Sequence, residues 1–440
     1  MKTTFVFIAA LLLIVQISII SAQKTDYKLE YIPQEGNGGK CLDGSAPSIY
    51  LKDKKSLTDG KKVLLYFRGG GIAHDLSEEK VLNKLKNRLT RESGSNKYYK
   101  KIQDFNGILS DDQLQNPYFY DYTVIIINYC DGTMFTGQKE EPIYYDGEEI
   151  WVRGQDSLNA ILEYTKDKYK IAYADTVVVG GTSAGGVATF LWTDHIAKNL
   201  KNENPKIKVL GIADGGLFFD YPEFGSQEQV YKEKLKHMYL TTTDENTPYF
   251  NQKCQEHYSE EPWKCLIAQY LIKFIETPIL SINSSFDSWI IKDILGITCI
   301  RDNSGYDYEG CTALEIFYIE QFHNDFLQKM EELDQLYENI NFILLSCINH
   351  DHLNKINFFE ESPATTINPL SYLSGFFAES GKIDSQTIDK VHWTQNQSCS
   401  NMIQLLHEDY GYDYDPTDYD GGILLLFNVF ALIFVLVSLI

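Results

Sequence analysis

Two hydrophobic periods alternate along this chain and predict its architecture. Short apolar runs rich in β-branched residues, each followed by glycines or polar residues, predict buried strands. These runs cover residues 62–67, 122–129, 177–179, 207–213, 278–282 and 340–345. Helical patterns stand between them, over residues 77–91, 147–169, 184–200 and 312–338. Strands that alternate with helices predict an α/β fold, a mostly parallel sheet with helices on both faces.

Two further stretches depart from this alternation. Residues 29–50 contain four glycines and Pro47, so the pattern predicts a loop before the first strand at residue 62. Residues 227–273 have helical character but are interrupted by Cys254, Pro262 and Cys265. We therefore expect a helical cap insertion within the α/β domain.

The amino terminus has the pattern of a secretory signal peptide. Lys2 precedes an apolar run from Phe5 to Ile20, and Ser21-Ala22 are small enough for cleavage before Gln23. An N-terminal membrane anchor is the alternative, but the run is short for a span. Residues 1–22 are thus interpreted as a signal peptide, and residues 23–410 as one catalytic domain.

The carboxyl terminus is apolar over residues 423–440, with no basic residue after it. This pattern favours a GPI-attachment signal over a single membrane span, which normally carries Lys or Arg on its cytoplasmic side. An acidic linker, residues 411–422, precedes the tail. We therefore predict an extracellular or cell-surface protein, with membrane contact only through this tail or a GPI anchor.

Charge and cysteine content narrow the class of protein further. The formal net charge of -22 makes nucleic acid an unfavourable partner, because an acidic surface repels phosphates. Eight cysteines in a secreted chain predict disulfides, and the absence of a C-x-x-C pair gives no support to a zinc site. The sequons at Asn283 and Asn396 fit a glycoprotein.

The candidate chemistry begins at the strand of residues 177–179. Gly181-Thr182-Ser183-Ala184-Gly185 follows it and leads into a helix, which is the setting of a nucleophile elbow. An ordinary glycine-rich turn is the alternative interpretation. Gly69-Gly70-Gly71, after the strand of residues 62–67, provides a second loop whose unobstructed amides could hold an oxyanion.

A serine nucleophile needs a histidine base and an orienting carboxylate, in the chain order serine, acid, histidine and each after a strand. Of nine histidines, only His350 and His352 lie in the loop directly after the last predicted strand. Asp287 follows the strand before it and fits the acid position better than Asp214, which follows the strand of residues 207–213. Spacing alone does not choose between the two histidines.

Seven short motifs occur in an order that is similar to a known family, the pectin acetylesterases and Notum carboxylesterases, over about residues 29–393. They are Cys41-Leu42-Asp43-Gly44-Ser45, Gly69-Gly70-Gly71, Tyr129-Cys130-Asp131-Gly132, Gly181-Thr182-Ser183-Ala184-Gly185-Gly186, Ala213-Asp214-Gly215-Gly216, Phe286-Asp287-Ser288-Trp289 and Ser346-Cys347-Ile348-Asn349-His350. The resemblance implies an α/β-hydrolase fold, a disulfide between Cys41 and Cys130, and neither metal nor other cofactor.

Carried over by position, the resemblance implies the site residues as well. Ser183 would be the nucleophile, Asp287 the acid and His350 the base. The oxyanion-hole amides would be those of Ala184, Gly71 and Ile72.

Two departures concern the substrate pocket. Ile72 and Ala73 stand where the family usually has a tryptophan, often followed by a cysteine, and Arg68 stands where glutamate is common.

These observations predict a secreted or cell-surface serine carboxylesterase that hydrolyses acyl esters, foremost O-acetyl esters, through an acyl-enzyme. The substrate would be an acylated glycan or an acylated protein. The acidic surface disfavours a pectin backbone but is compatible with a neutral acetylated glycan. Two alternatives remain open: a Notum-like fatty-acyl esterase acting on a protein, and a catalytically silent binding protein with the same scaffold.

Overall fold

The computed structural model describes residues 27–34, 38–52, 62–244, 250–300, 310–355, 369–378, 381 and 387–388. The predicted signal peptide, acidic linker and C-terminal tail lie outside these ranges, as do Asn396 and Cys399. None of the helices in the described ranges combines the length and apolar character that a membrane crossing requires.

Twelve strands are present in the described ranges. They are β1 (Tyr27–Tyr31), β2 (Ser48–Lys52), β3 (Lys62–Phe67), β4 (Ile102–Gln103), β5 (Thr123–Ile127), β6 (Ile143–Tyr145), β7 (Glu148–Ile150), β8 (Thr176–Thr182), β9 (Lys208–Asp214), β10 (Ile279–Ser284), β11 (Ile340–Leu345) and β12 (Thr387–Ile388). All but β6 and β7 join one sheet, in the order β12-β11-β10-β9-β8-β3-β5-β2-β1-β4. β6 and β7 form a separate antiparallel hairpin.

The sheet is parallel from β12 to β5 and antiparallel beyond it. β8 lies at its centre, paired in parallel with β3 and β9. The predicted parallel arrangement is therefore confirmed for these strands. The carboxyl ends of β3, β8, β9, β10 and β11 all meet at one edge, which is where ligand and catalytic sites form in parallel sheets.

The antiparallel end of the sheet corrects the loop prediction for residues 29–50. β1 and β2 pair antiparallel there, with Leu29 opposite Tyr50, and β2 pairs with β5. The glycines of this region lie between the two strands rather than throughout the segment. β1 and β2 are short and each contains polar or charged residues, so neither forms the continuous apolar run that indicates a buried strand.

The α-helices of the described ranges are α1 (Glu78–Lys86), α2 (Gly154–Tyr169), α3 (Ala184–Glu203), α4 (Val230–Thr242), α5 (Gln252–His257), α6 (Ala268–Leu271), α7 (Ala313–Leu336) and α8 (Pro369–Ala378). A π-helical turn also spans Ile290–Ile294. The predicted helix over residues 147–169 begins only at Gly154, because residues 148–150 form β7. The stretch between β9 and β10 is helical, as predicted for the cap. However, its Leu266 and Leu271 are buried in the larger of the two hydrophobic cores of the domain.

Alternate side chains of the central strands enter two cores, one on each face of the sheet. Val177 and Val179 of β8 belong to the larger core, whereas Val178 belongs to the smaller one, together with Phe376 of α8. This two-sided burial is why β8 is apolar without alternation in the sequence. It fixes the carboxyl end of β8, and with it Ser183, in a rigid part of the molecule.

Candidate active site

Ser183 lies on a sharp turn between β8 and α3. Its φ of 61° and ψ of -124° are rare for a residue with a side chain. The turn is held because Ser183 N donates to the carbonyl oxygen of Asp214 at 2.8 Å and Val187 N donates to Ser183 O at 3.0 Å. Gly185 is required here, since a Cβ on it would lie 2.1 Å from the carbonyl oxygen of Phe67. The structure thus has the elbow geometry that the sequence predicted.

His350 lies between Ser183 and Asp287. Its Nε2 is 2.8 Å from Ser183 Oγ, and its Nδ1 is 3.0 Å from each carboxylate oxygen of Asp287. Asp287 is fully buried, and its Oδ1 also accepts from the amides of Trp289 at 2.8 Å and Ile290 at 3.2 Å. These contacts fix the carboxylate, so that Nδ1–H donates to it and Nε2 is left to face the serine.

The electrostatics of His350 follow from this partner. Burial by itself lowers the pKa of the imidazole, but the charge and hydrogen bond of Asp287, with smaller contributions from Asp351 and Asp214, outweigh burial and raise the pKa to about 9. The neighbouring carboxylates therefore favour the imidazolium, which is the form that a histidine base acquires when it accepts a proton from a nucleophile.

The runner-up residues of the sequence analysis, Asp214 and His352, pair with each other. His352 Nδ1 is 3.0 Å from Asp214 Oδ1, and both residues are buried. His352 Nε2 has no hydrogen-bond partner among the described residues and does not reach solvent. Of the two candidate histidines, the structure therefore brings only His350 to Ser183.

The glycine loop after β3 passes directly beside the serine. A Cβ on Gly69 would lie 3.0 Å from Ser183 Cβ, and the cleft that contains Ser183 is lined by Gly69 and Gly70. Gly71 and Ile72 do not line this cleft. Within the described ranges, the amides of Gly71, Ile72 and Ala184 have no backbone carbonyl as acceptor, so they stay available as donors. Their role in an oxyanion hole remains a prediction.

The cleft beside Ser183 has a volume of ≈ 370 Å³ and a lining of both polar and apolar residues. Polar side chains in it include Arg68, Gln103, Asn106, Asp351 and Asn354. The Arg68 guanidinium forms an ion pair with Glu92 at 3.2 Å and lies over the ring of Tyr99. The departure at Arg68 thus places a cation in the cleft, whereas the departures at positions 72 and 73 are buried side chains of the main core.

The opposite side of His350 is aromatic. The rings of Phe218 and Trp289 stack on each other at 4.2 Å, and each lies 6.2 Å from the His350 ring. Tyr231 and His74 lie behind them and contact Trp289 edge-on. In the sequence, Trp289 is distinguished only as part of a motif, and Phe218, four residues after the end of β9, has no distinguishing local signal.

The described residues include disulfides and the sequon at Asn283. Bonds join Cys41 to Cys130, Cys254 to Cys265 and Cys299 to Cys311, which confirms the expected disulfides.

Asn283 is 1% exposed in the middle of the sheet. The Asn283 side chain is therefore not accessible to a glycan in the folded protein, and this sequon lends no support to the expected glycosylation. In the described part of the chain, no cluster of His, Cys, Asp or Glu could hold a metal ion.

A serine on a strand-to-helix turn, with an acid and a histidine at the ends of later parallel strands, defines the class of α/β-hydrolases. The chain has this fold. The sequence model of the Pectinacetylesterase family matches residues 20–400. The protein belongs to the pectinacetylesterase family and is a carboxylic ester hydrolase.

Similarity to individual relatives agrees with this placement. Pectin acetylesterase 11 of Arabidopsis thaliana is 29% identical over 303 residues, covering 66% of this chain and 71% of the relative. The palmitoleoyl-protein carboxylesterase Notum of Schmidtea mediterranea is 23% identical over 348 residues, covering 78% and 61%. The structure of the Wnt deacylase Notum from Drosophila matches with a TM-score of 0.70 and 20% identity, covering 85% of this chain and 99% of the other. At this identity the last match concerns the fold alone.

Proposed function

We propose that the protein is a serine carboxylesterase that removes short acyl groups, foremost acetyl, from hydroxylated substrates through an acyl-enzyme. The observation that carries the proposal is the 2.8 Å contact between His350 Nε2 and Ser183 Oγ, with Asp287 on the other nitrogen of the ring. This is the arrangement by which a weakly nucleophilic hydroxyl becomes reactive.

In the proposed reaction, Ser183 Oγ attacks the ester carbonyl carbon while His350 Nε2 accepts the hydroxyl proton. The amides of Ala184, Gly71 and Ile72 would donate to the oxyanion, each contributing about 3 kcal/mol in comparable sites. His350 then gives the proton to the departing alcohol as the carbon–oxygen bond breaks, which leaves the acyl-serine. A water molecule then attacks this ester while His350 accepts its proton, and His350 returns that proton to Ser183 Oγ as the acyl–oxygen bond breaks, which releases the carboxylic acid and the free serine.

The aromatic side of His350 supports a short acyl group. Phe218 is 2% exposed and stacks against Trp289, so the two rings occupy the space next to the base. A long fatty chain would need an apolar channel at this point. The relatives include both pectin acetylesterases and enzymes named for a palmitoleoyl group, and the stacked rings favour the acetyl side of the family.

The polar cleft supports a hydroxylated leaving group. Gln103, Asn106 and Asn354 provide amide donors and acceptors around Ser183, as recognition of sugar hydroxyls requires. The net charge of -22 disfavours a polyanionic glycan as a whole. An O-acetylated neutral glycan therefore fits the surface better than an anionic one.

Disulfides support action outside the reducing cytosol. The three disulfides that lie within the described ranges are typical of secreted and cell-surface proteins. We propose a secreted or cell-surface location on this basis, together with the predicted signal peptide and C-terminal tail.

Substitution of the nucleophile tests the proposal. Ser183→Ala should reduce hydrolysis of p-nitrophenyl acetate at least about a thousandfold and abolish labelling by a fluorophosphonate probe, because no hydroxyl remains to be acylated. Ser226→Ala, at an exposed serine, serves as the control and should retain both. A wild-type protein that is folded but neither labels nor hydrolyses would instead support the catalytically silent binding protein.

A further inference from the structure

A buried polar network centred on Asp214 lies beneath the triad. Asp214 Oδ2 accepts from Thr182 Oγ1 at 3.0 Å and from the amides of His352 and Leu353 at 2.9 Å each. Its Oδ1 accepts from His352 Nδ1 at 3.0 Å. Asp214 is 0% exposed, and Thr182 and His352 are 4% and 2% exposed. Such a carboxylate is held rigidly, because each of its oxygens is bonded in a site without solvent.

The partners of this carboxylate come from the two segments that carry the nucleophile and the base. Thr182 immediately precedes Ser183, and His352 follows His350 by two residues. The main chain of the same region adds two contacts. Ser183 N donates to Asp214 O at 2.8 Å, and a Cβ on Gly215 would lie 2.2 Å from the carbonyl oxygen of His350. The turn at Ser183 and the loop that carries His350 therefore both contact the carboxyl end of β9.

A second contact joins the same two segments through β3. Tyr66 OH donates to Thr182 Oγ1, whose own proton goes to Asp214, and lies 2.9 Å from Asn354 Oδ1. Asn354 Nδ2 in turn donates to Thr182 Oγ1 at 3.4 Å. The distance between Ser183 and His350 is thus set by hydrogen bonds at more than one point.

We infer that His352 and Asp214 are positioning residues, whose hydrogen bonds hold His350 at the correct distance from Ser183. The inference rests on the proposed function of Ser183 and His350. His352 does not itself exchange protons with substrate, because its Nδ1 is bonded to Asp214 and its Nε2 is enclosed. A loss of positioning misplaces the base by a fraction of an ångström, which lowers kcat while substrate binding is retained.

A pair of substitutions at residue 352 tests the inference. His352→Leu fills the volume but removes the donor to Asp214, whereas His352→Asn keeps an N–H donor near the position of Nδ1. We expect His352→Leu to lower kcat for p-nitrophenyl acetate about 10- to 100-fold with KM changed less than about threefold. His352→Asn should restore kcat to within about threefold of the wild type.

Thermal unfolding and fluorophosphonate labelling, measured on the same samples, separate positioning from folding. A labelling rate of folded His352→Leu that falls with kcat supports positioning, and so does its recovery in His352→Asn. The inference is overturned if folded His352→Leu keeps wild-type kcat, if KM alone rises, or if the Asn variant loses as much kcat as the Leu variant. A wild-type protein that does not label at all would refute the proposed function instead, so the two failures are distinguishable.

Discussion

The molecule contains two histidine–aspartate pairs whose histidines lie two residues apart in the same loop. The two pairs face different surroundings. His350 and Asp287 form one pair, and His352 and Asp214 form the other, each with an Nδ1-to-carboxylate distance of 3.0 Å. In the first pair Nε2 faces Ser183 Oγ at 2.8 Å. In the second pair Nε2 is buried without a partner in the described structure.

The difference shows that a histidine–carboxylate contact is not sufficient to define a base. The first pair lies between a polar cleft and an aromatic wall, where the imidazole can exchange a proton with a reacting group. The second pair lies under the loop and bonds only to the protein, so it stabilises the site rather than reacting. Position relative to the serine, and not the pairing itself, assigns the two roles.

The sharpest test of this comparison is a matched substitution in the two pairs. His350→Asn should lower kcat/KM for p-nitrophenyl acetate at least about a thousandfold, because no basic nitrogen then faces Ser183. His352→Asn should lower it by no more than about threefold, since the donor to Asp214 remains. Equal losses in the two variants, at equal folded fraction, would break the distinction between reacting and positioning pairs.

The pH dependence of hydrolysis gives the next largest effect. The pKa of His350 is raised to about 9, and the protonated imidazole is not a base, so kcat/KM should fall about tenfold for each pH unit below about 9. Asp287→Asn removes the charge that raises this pKa and should move the midpoint to lower pH, with a much lower plateau. A wild-type profile that is flat between pH 7 and pH 10 would contradict the assignment.

Stability should change in the opposite direction over the same range. Because the pKa of His350 in the folded protein lies above its value of about 6.5 in an unfolded chain, the pair contributes stability that is fully present below about pH 6.5. This contribution is lost as the pH rises through about 9. The difference in unfolding temperature between wild type and Asp287→Asn should therefore narrow with rising pH.

The smallest expected effect concerns the aromatic wall that only the first pair contacts. Trp289→Ala should open space beside His350 and raise the ratio of octanoate to acetate hydrolysis about tenfold, with the rate on acetate changed little. Trp151 does not line the described cleft. Trp151→Ala should therefore leave the ratio of octanoate to acetate hydrolysis unchanged. An unchanged ratio in Trp289→Ala would show that another feature limits the acyl chain.

Much of the sheet could be predicted because its strands are buried on both faces. β3 and β11 have the predicted bounds, and the other central strands differ by a few residues at their ends. β1, β2 and β7 were missed, since they are only three to five residues long and each contains polar or charged residues that interrupt an apolar run. The burial of Asn283 was also invisible, because a sequon is the same three letters on a surface loop and in a strand.

The sequence by itself determined the features that depend on neighbouring residues. Ser183 is identifiable because a strand, a turn that needs glycine and a helix must follow one another within a few residues, and Asp287 and His350 follow strands in the required order. Motif resemblance, rather than spacing, selected His350 over His352 in advance.

Only the tertiary structure decided which histidine reaches the serine and what surrounds it. Ser183 and His350 are 167 residues apart in the chain. Their 2.8 Å contact depends on the register of the parallel strands and on the contacts that both segments make with the carboxyl end of β9. The same packing joins Asp214 to His352 and brings Phe218 against Trp289. Such contacts arise from the alignment of strand ends across the sheet, which no local pattern of residues specifies.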